Sequence, residues 1–190
     1  RDAEFRGDFQ SVALKELDRV SRLVDDLLNF SRPSPSHPSP EDVNDIVAGV
    51  VRILETQTKE NGVRLRCRLS PDLSAISVDK EQIKQVCLNL LLNALQAIET
   101  EGCVEIATRS FPHGSRRFVQ IEIRDNGVGI PEGDLENIFR PFFTTKKGGS
   151  GLGLFISRQI IEDHGGAISV SSIMGEGTAF FINLPAKAAD

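Results

Sequence analysis

The chain has 190 residues, 39% of them hydrophobic and 26% charged, and a formal net charge of −5. That length allows one well-cored domain with an appendage and is short for two full domains. The acidic balance argues against a nucleic-acid surface, and no apolar run approaches the roughly 18 residues of a membrane span.

The three cysteines, Cys67, Cys87 and Cys103, have neither a close pair nor a metal spacing. They are read as buried small apolar side chains in a reducing compartment. With no signal peptide and Arg1 in place of Met, the chain is read as a cytoplasmic piece of a longer protein, whose parent is free to be membrane-anchored elsewhere.

Residues 5–30 read as one helix, with Phe5, Phe9, Val12, Leu17, Val20, Val24, Leu27 and Phe30 on a broad apolar stripe. Such a helix must pack on others. Four prolines between Pro33 and Pro40 end it in an extended linker. Ser39-Pro-Glu-Asp42 then supplies a cap, a first-turn proline and acids for a helix to about Lys59, closed by Asn61-Gly62. Val63–Leu69 alternates as a half-exposed strand, with Arg64, Arg66 and Arg68 either its wet face or a docking patch.

Asp79-Lys-Glu-Gln82 is a capping box opening a helix from Lys80 to about Glu99. Its buried face is Ile83, Val86, Cys87, Leu90, Leu91, Ala94, Leu95 and Ile98. Strands follow at Cys103–Phe111 and Arg117–Arg124 around the turn 112–115. A short helix starts near Pro131, and another runs from Leu154 to His164 with Gly165 as its cap. Strands Ala167–Ile173 and Thr178–Leu184 flank a turn at 174–177. This order predicts an α+β fold, a two-layer sandwich with a mixed sheet covered on one face by helices.

Four segments carry chemistry. Asn89 and Asn93 are four apart and share one helix face; they are either solvated or capping amides, or one amide oxygen ligates a hard cation such as Mg²⁺. Asp125-Asn-Gly-Val-Gly-Ile130 follows a strand, so a carboxylate stands at a strand end beside glycines that allow close backbone approach; read alone, it is also an ordinary turn. Pro141-Phe-Phe-Thr-Thr-Lys-Lys-Gly-Gly-Ser-Gly-Leu-Gly-Leu154 is a basic, glycine-rich loop opening onto a helix, where backbone N–H groups can hold phosphates. It matches neither the Walker loop nor the dinucleotide G-x-G-x-x-G. Gly175-Glu-Gly-Thr178 is a hairpin turn.

Taken in order, the Asn pair, D-x-G-x-G, Phe-Phe-Thr-Thr-Lys, G-x-G-x-G and G-x-G-T resemble the ATP-binding catalytic domain of sensor histidine kinases, within the family shared with gyrase-type and chaperone ATPases. The resemblance covers about residues 41–185, and PFFTTK most resembles the nitrogen-regulation subclass. Residues 17–33 are similar to the second helix of that family's dimerisation and phosphoacceptor hairpin. The implied domains are therefore 1–33 (hairpin helix, acceptor helix absent), 34–40 (linker) and 41–190 (ATP-binding domain).

By this resemblance the cofactors are ATP and Mg²⁺. Asn93 would ligate the metal and Asn89 would sit beside the phosphates. Asp125 would accept a hydrogen bond from the adenine amino group, with Gly127 and Gly129 letting the base lie on the backbone and Thr178 closing its pocket. Gly149, Gly151 and Gly153, with Ser150 and Leu152, would wrap the phosphates. Phe139, Phe142 and Phe143 would anchor or hinge a lid carrying Thr144, Thr145, Lys146 and Lys147. The implied partners are ATP, a histidine-bearing hairpin, a response-regulator receiver domain and a second copy of the parent protein, with no nucleic acid and no membrane contact by this piece.

Two departures stand out. Gln96 occupies a position where many members of the family have a basic residue near the phosphates, which would shift that task to Lys146 or Lys147. None of His37, His113 and His164 has the context of the family's phosphorylated histidine, so the chain would transfer phosphate only to a hairpin helix it does not contain. The rival readings are a nucleotide-gated interaction module without phosphotransfer, and a related serine-partner kinase or chaperone-type ATPase. The hairpin-like helix speaks against the last pair, as does asparagine rather than a glutamate base at position 89.

Overall fold

A computed structural model describes residues 36–186 apart from Asn61, Thr100, Ser115, Lys147 and Gly148. The helix expected over residues 5–30, and with it the domain division at residue 33, lies outside the described residues.

The chain enters through a short strand, β1 (Ser39–Glu41), which pairs antiparallel with β3 (Ile76–Val78). The residues Ser39-Pro-Glu-Asp42 predict a helix start here. Instead the extended backbone that suits Pro40 is used in a strand pair, and the helix cap falls to Asp42, whose Oδ1 accepts from the Asn44 N–H at 2.8 Å. Helix α1 (Val43–Glu60) follows, then β2 (Val63–Arg68).

Helix α2 (Lys80–Ala97) starts at an Asp79 cap whose Oδ1 accepts from the N–H groups of Glu81 and Gln82 at 3.0 and 3.1 Å. The reciprocal half of the expected capping box is replaced, because the Asp79 N–H donates to His164 Nε2 at 2.9 Å. The remaining elements are β4 (Gly102–His113), β5 (Arg116–Asp125), a single turn α3 (Glu132–Leu135), α4 (Gly153–Asp163), β6 (Ala167–Ile173) and β7 (Gly177–Pro185).

Five strands form one mixed sheet in the order β2-β4-β5-β7-β6. Only β2 and β4 run parallel; the other three pairings are antiparallel. Helices cover one face, as expected. Val104, Ile106, Ile121, Ile123, Phe180 and Ile182 point from the strands into a core shared with Ile46, Leu90, Leu91 and Ile161 of the helices. Alternation sends the opposite residues to the open face, where Arg64, Arg66 and Arg68 are exposed and Arg68 pairs with Glu105 at 3.2 Å. No described helix is long and apolar enough to cross a membrane.

The cysteine expectation holds only for Cys87, which lies in the core of α2, where burial pushes its thiol up to about 12. Cys67 is exposed on the edge strand β2, and Cys103 is half-buried on the face of β4 that no helix covers. An edge and an open face are both consequences of sheet topology, which spacing alone does not show.

Candidate functional site

The C-terminal half of α2, the end of the central strand β5 and the loop before α4 come together at one end of the sheet's strands. On α2 the four-residue spacing puts Asn89 and Asn93 on the same face, and both amides are engaged. Asn89 Nδ2 donates to Ser157 Oγ on α4 at 2.9 Å. Asn93 Oδ1 accepts from the Lys146 ammonium at 2.7 Å, and the same ammonium donates to Gln96 Oε1 at 2.7 Å. The simple reading of two solvated amides is therefore set aside.

Asp125 ends β5 and is buried at 6% exposure, unusual for a carboxylate without a paired base in contact. Its Oδ1 accepts from the N–H groups of Gly127 at 2.8 Å and Thr178 at 3.3 Å, while Oδ2 takes no bond among the described residues. Burial pushes the carboxyl above its ordinary range, against the pull of these two donors and of the Lys146 charge. The turn after it runs tight against the end of α2. A Cβ on Gly127 would collide with the Ala97 carbonyl, and one on Gly129 with that of Ile173. Thr178, also buried, shares a 3.0 Å hydroxyl contact with Ser172.

Of the aromatic residues expected to seat the loop, two do so. Phe139 packs edge-on against Phe180 with centroids 6.4 Å apart, and Phe143 is half-buried on the core. Phe142 is different: its side chain is 61% exposed and its backbone has a φ of 65°. A bulky residue in that region marks strain rather than anchoring. Phe142 is the bend of the loop, with its carbonyl against Gly151.

Beyond the bend, Thr144 Oγ1 accepts from the Lys146 N–H at 3.1 Å, and the Gly149 N–H closes a turn onto the Lys146 carbonyl at 3.2 Å. Thr145 is exposed. Lys147, expected to share the cationic task, lies outside the described residues. Ser150 Oγ accepts from the Leu152 N–H at 3.3 Å. The Leu152 side chain is buried in the core, so only its backbone is available to a ligand. Helix α4 begins at Gly153 with no side-chain cap. A Cβ there would stand 2.6 Å from Asn89 Oδ1, so glycine lets the helix start approach Asn89.

Three participants were invisible to motif reading. Ser157 holds Asn89, and Asn126 Oδ1 accepts from the Cys103 N–H at 2.8 Å. Ser172 accepts from the Ile130 N–H and donates to the Gly177 carbonyl, at 2.8 and 2.9 Å. A serine in an alternating strand or helix carries no signal of such a role. Gln96 was noticed as a departure but not as a partner of the loop.

The described residues contain no cluster of His, Cys, Asp and Glu that could hold a metal by itself. A cation at this site would instead rest on amide oxygen and on oxygens brought by a ligand. The Lys146 ammonium on Asn93 Oδ1 shows that this oxygen already draws a positive charge. A cleft of about 260 Å³ is lined by Asp125, Asn126, Ser172, Gly177 and Thr178 among others, and includes no residue of α2 or of the loop.

A family profile described as "Histidine kinase-, DNA gyrase B-, and HSP90-like ATPase" matches residues 78–188. The chain is 39% identical over 94% of its length to the signal transduction histidine-protein kinase AtoS of Escherichia coli K12, of which the match covers 29%. It is 36% identical over 93% of its length to sporulation kinase A of Bacillus subtilis, covering 28% of that protein. The chain thus spans about a third or less of the length of these curated relatives.

Among solved structures, full-length ShkA in complex with AMPPNP superposes with a TM-score of 0.81 at 28% identity, over 94% of this chain and 39% of that one. Histidine kinase ThkA in complex with the response regulator TrrA gives 0.78 at 29% identity, over 94% and 51%. The nucleotide-free ThkA catalytic domain gives 0.71 at 31% identity, over 79% and 96%.

Proposed function

The chain belongs to the family of histidine kinase-, DNA gyrase B- and HSP90-like ATPases, and from that premise we propose that it is the ATP-binding catalytic part of a two-component sensor histidine kinase. The observation that carries this reading is convergence. Asn93, Asp125 and Lys146, scattered over more than 50 residues, are brought to the end of the central strand β5, between α2 and a loop that opens onto a helix start.

In this reading Asp125 Oδ2 accepts from the adenine amino group, and the Gly127–Gly129 backbone lies along the base. Thr178 closes the pocket floor with Ser172. The uncapped start of α4 directs backbone N–H groups and the positive end of its dipole at the phosphates. Asn89 stands between that helix start and α2, held in orientation by Ser157. Asn93 Oδ1 is the protein oxygen offered to Mg²⁺, which when bound supplies charge that offsets the phosphate oxygens. The described residues Thr144–Lys146, beyond the bend at Phe142, cover the phosphates and exclude water from them.

The protein's own part in transfer is positioning and charge stabilisation, with the acceptor imidazole attacking in line. That imidazole comes from another segment. His164 is buried, Nδ1 donating to the Ile160 carbonyl at 2.7 Å and Nε2 accepting from Asp79. His113 sits at the far end of the β4–β5 ladder from Asp125, about 30 Å away at strand rise. His37 precedes β1 and its N–H is held by Asp79 Oδ2 at 2.9 Å. The partners that follow are a histidine-bearing hairpin, a response-regulator receiver domain and a second copy of the parent kinase.

Labelled γ-phosphate should appear, in acid-labile form, on a supplied histidine-bearing hairpin from a kinase of this class. Asn93→Ala should abolish that transfer together with Mg-ATP binding. Tight nucleotide binding with no transfer to any hairpin would overturn kinase activity in favour of a nucleotide-gated interaction module.

A further inference from the structure

The Lys146 ammonium has three donors and no acceptor, and it spends two of them on α2, 2.7 Å from Asn93 Oδ1 and 2.7 Å from Gln96 Oε1. These acceptors are three residues apart and neighbours on the helix surface. Together they make a cation seat of two amide oxygens, held by a charge from the loop. A divalent cation on Asn93 Oδ1 and an ammonium on the same oxygen would repel at contact distance. The two occupants exclude one another.

We propose that Gln96 is a positioning residue of this site, holding the Lys146 ammonium in the seat that Asn93 offers a divalent cation, so that metal enters only by displacing that ammonium. The proposal rests on the reading of the site as one for Mg-ATP. Asn93 alone gives one neutral acceptor to a mobile lysine. Gln96 adds a second and fixes where the ammonium sits. Metal loading and release of Lys146 become one event. A nucleotide arriving without metal leaves the lysine in its seat.

Gln96 is exposed near the end of α2, so its substitution leaves the core untouched. The test is amide hydrogen exchange over residues 143–153 of the whole chain without nucleotide, with melting midpoints as a check on folding. Gln96→Leu should speed exchange about three- to tenfold, and Gln96→Glu should slow it by pairing with the ammonium. At fixed AMPPNP, the Mg²⁺ concentration for half-maximal binding should fall in Gln96→Leu and rise in Gln96→Glu. Exchange that is unchanged, or that shifts in the same direction in both variants, would overturn the proposal. If the wild-type chain fails to bind AMPPNP at all, the nucleotide reading falls, and the nucleotide-free exchange still decides whether Gln96 holds the lysine.

Discussion

At Asp125 both backbone donors converge on Oδ1, and this fixes what an amide would do there. Asparagine would keep its oxygen on those donors and turn its NH₂ to the position of Oδ2. A donor would then face the amino group that the carboxylate is proposed to accept, so Asp125→Asn should lower nucleotide affinity about 100-fold by calorimetry. The fold should not suffer. The folded carboxyl sits above its unfolded value, so its favourable contribution is complete below about pH 3.9 and is lost as pH rises through the raised folded value. At neutral pH the charge opposes folding, and Asp125→Asn should melt at the same temperature as wild type or higher. The residue type at 125, 89 and 93 was legible in the sequence because the motifs bear these groups at fixed spacing. The Lys146 contact with Asn93 was not, since it joins residues 53 apart and depends on where a loop comes to rest.

Elements were read well where a local signal matched a tertiary need. Helix α2 has a cap, a periodic apolar face and a partner layer, and it starts at Lys80 as expected. β1 and β3 were missed because three-residue strands have too few positions to show alternation. Their position rests instead on the Asp79 cap, whose Oδ2 also holds the His37 N–H. That N–H, ahead of the two on α2 and the nearby His164, pulls the Asp79 carboxyl below its ordinary value. A lowered folded value gives stability that is present above about pH 3.9 and lost as pH falls through the folded pKa. Asp79→Asn, which keeps the cap, should flatten the acid limb of a stability–pH curve measured by denaturant unfolding. Asp79→Ala should cost about 1 kcal/mol at neutral pH; a neutral result would show that the cap is dispensable.

For the molecule as a whole, α1, β2, β3, α2, β4, β5, α4 and β7 all contribute to the buried cluster, and β6 packs Ile168 and Val170 against it. A fragment spanning residues 36–186 should therefore unfold in one transition and bind Mg-AMPPNP within about threefold of the full chain. Failure to bind would place a needed part of the site before Ser36. The two-layer arrangement was legible from element order, whereas strand order and the single parallel pair were not, because pairing partners are chosen by packing over long separations. The Asp79–His164 bond adds a mechanical consequence. It ties the N-terminal cap of α2 to the C-terminal cap of α4, while Asn89 meets the opposite end of α4 at Gly153. The two helices are thus fastened to each other at two points, Asp79–His164 and Asn89–Ser157, and the incoming chain is fastened to the first of them by Asp79 and Ser36. Residues 36–37 are thereby bound to both helices at once, since Asp79 caps one and His164 closes the other.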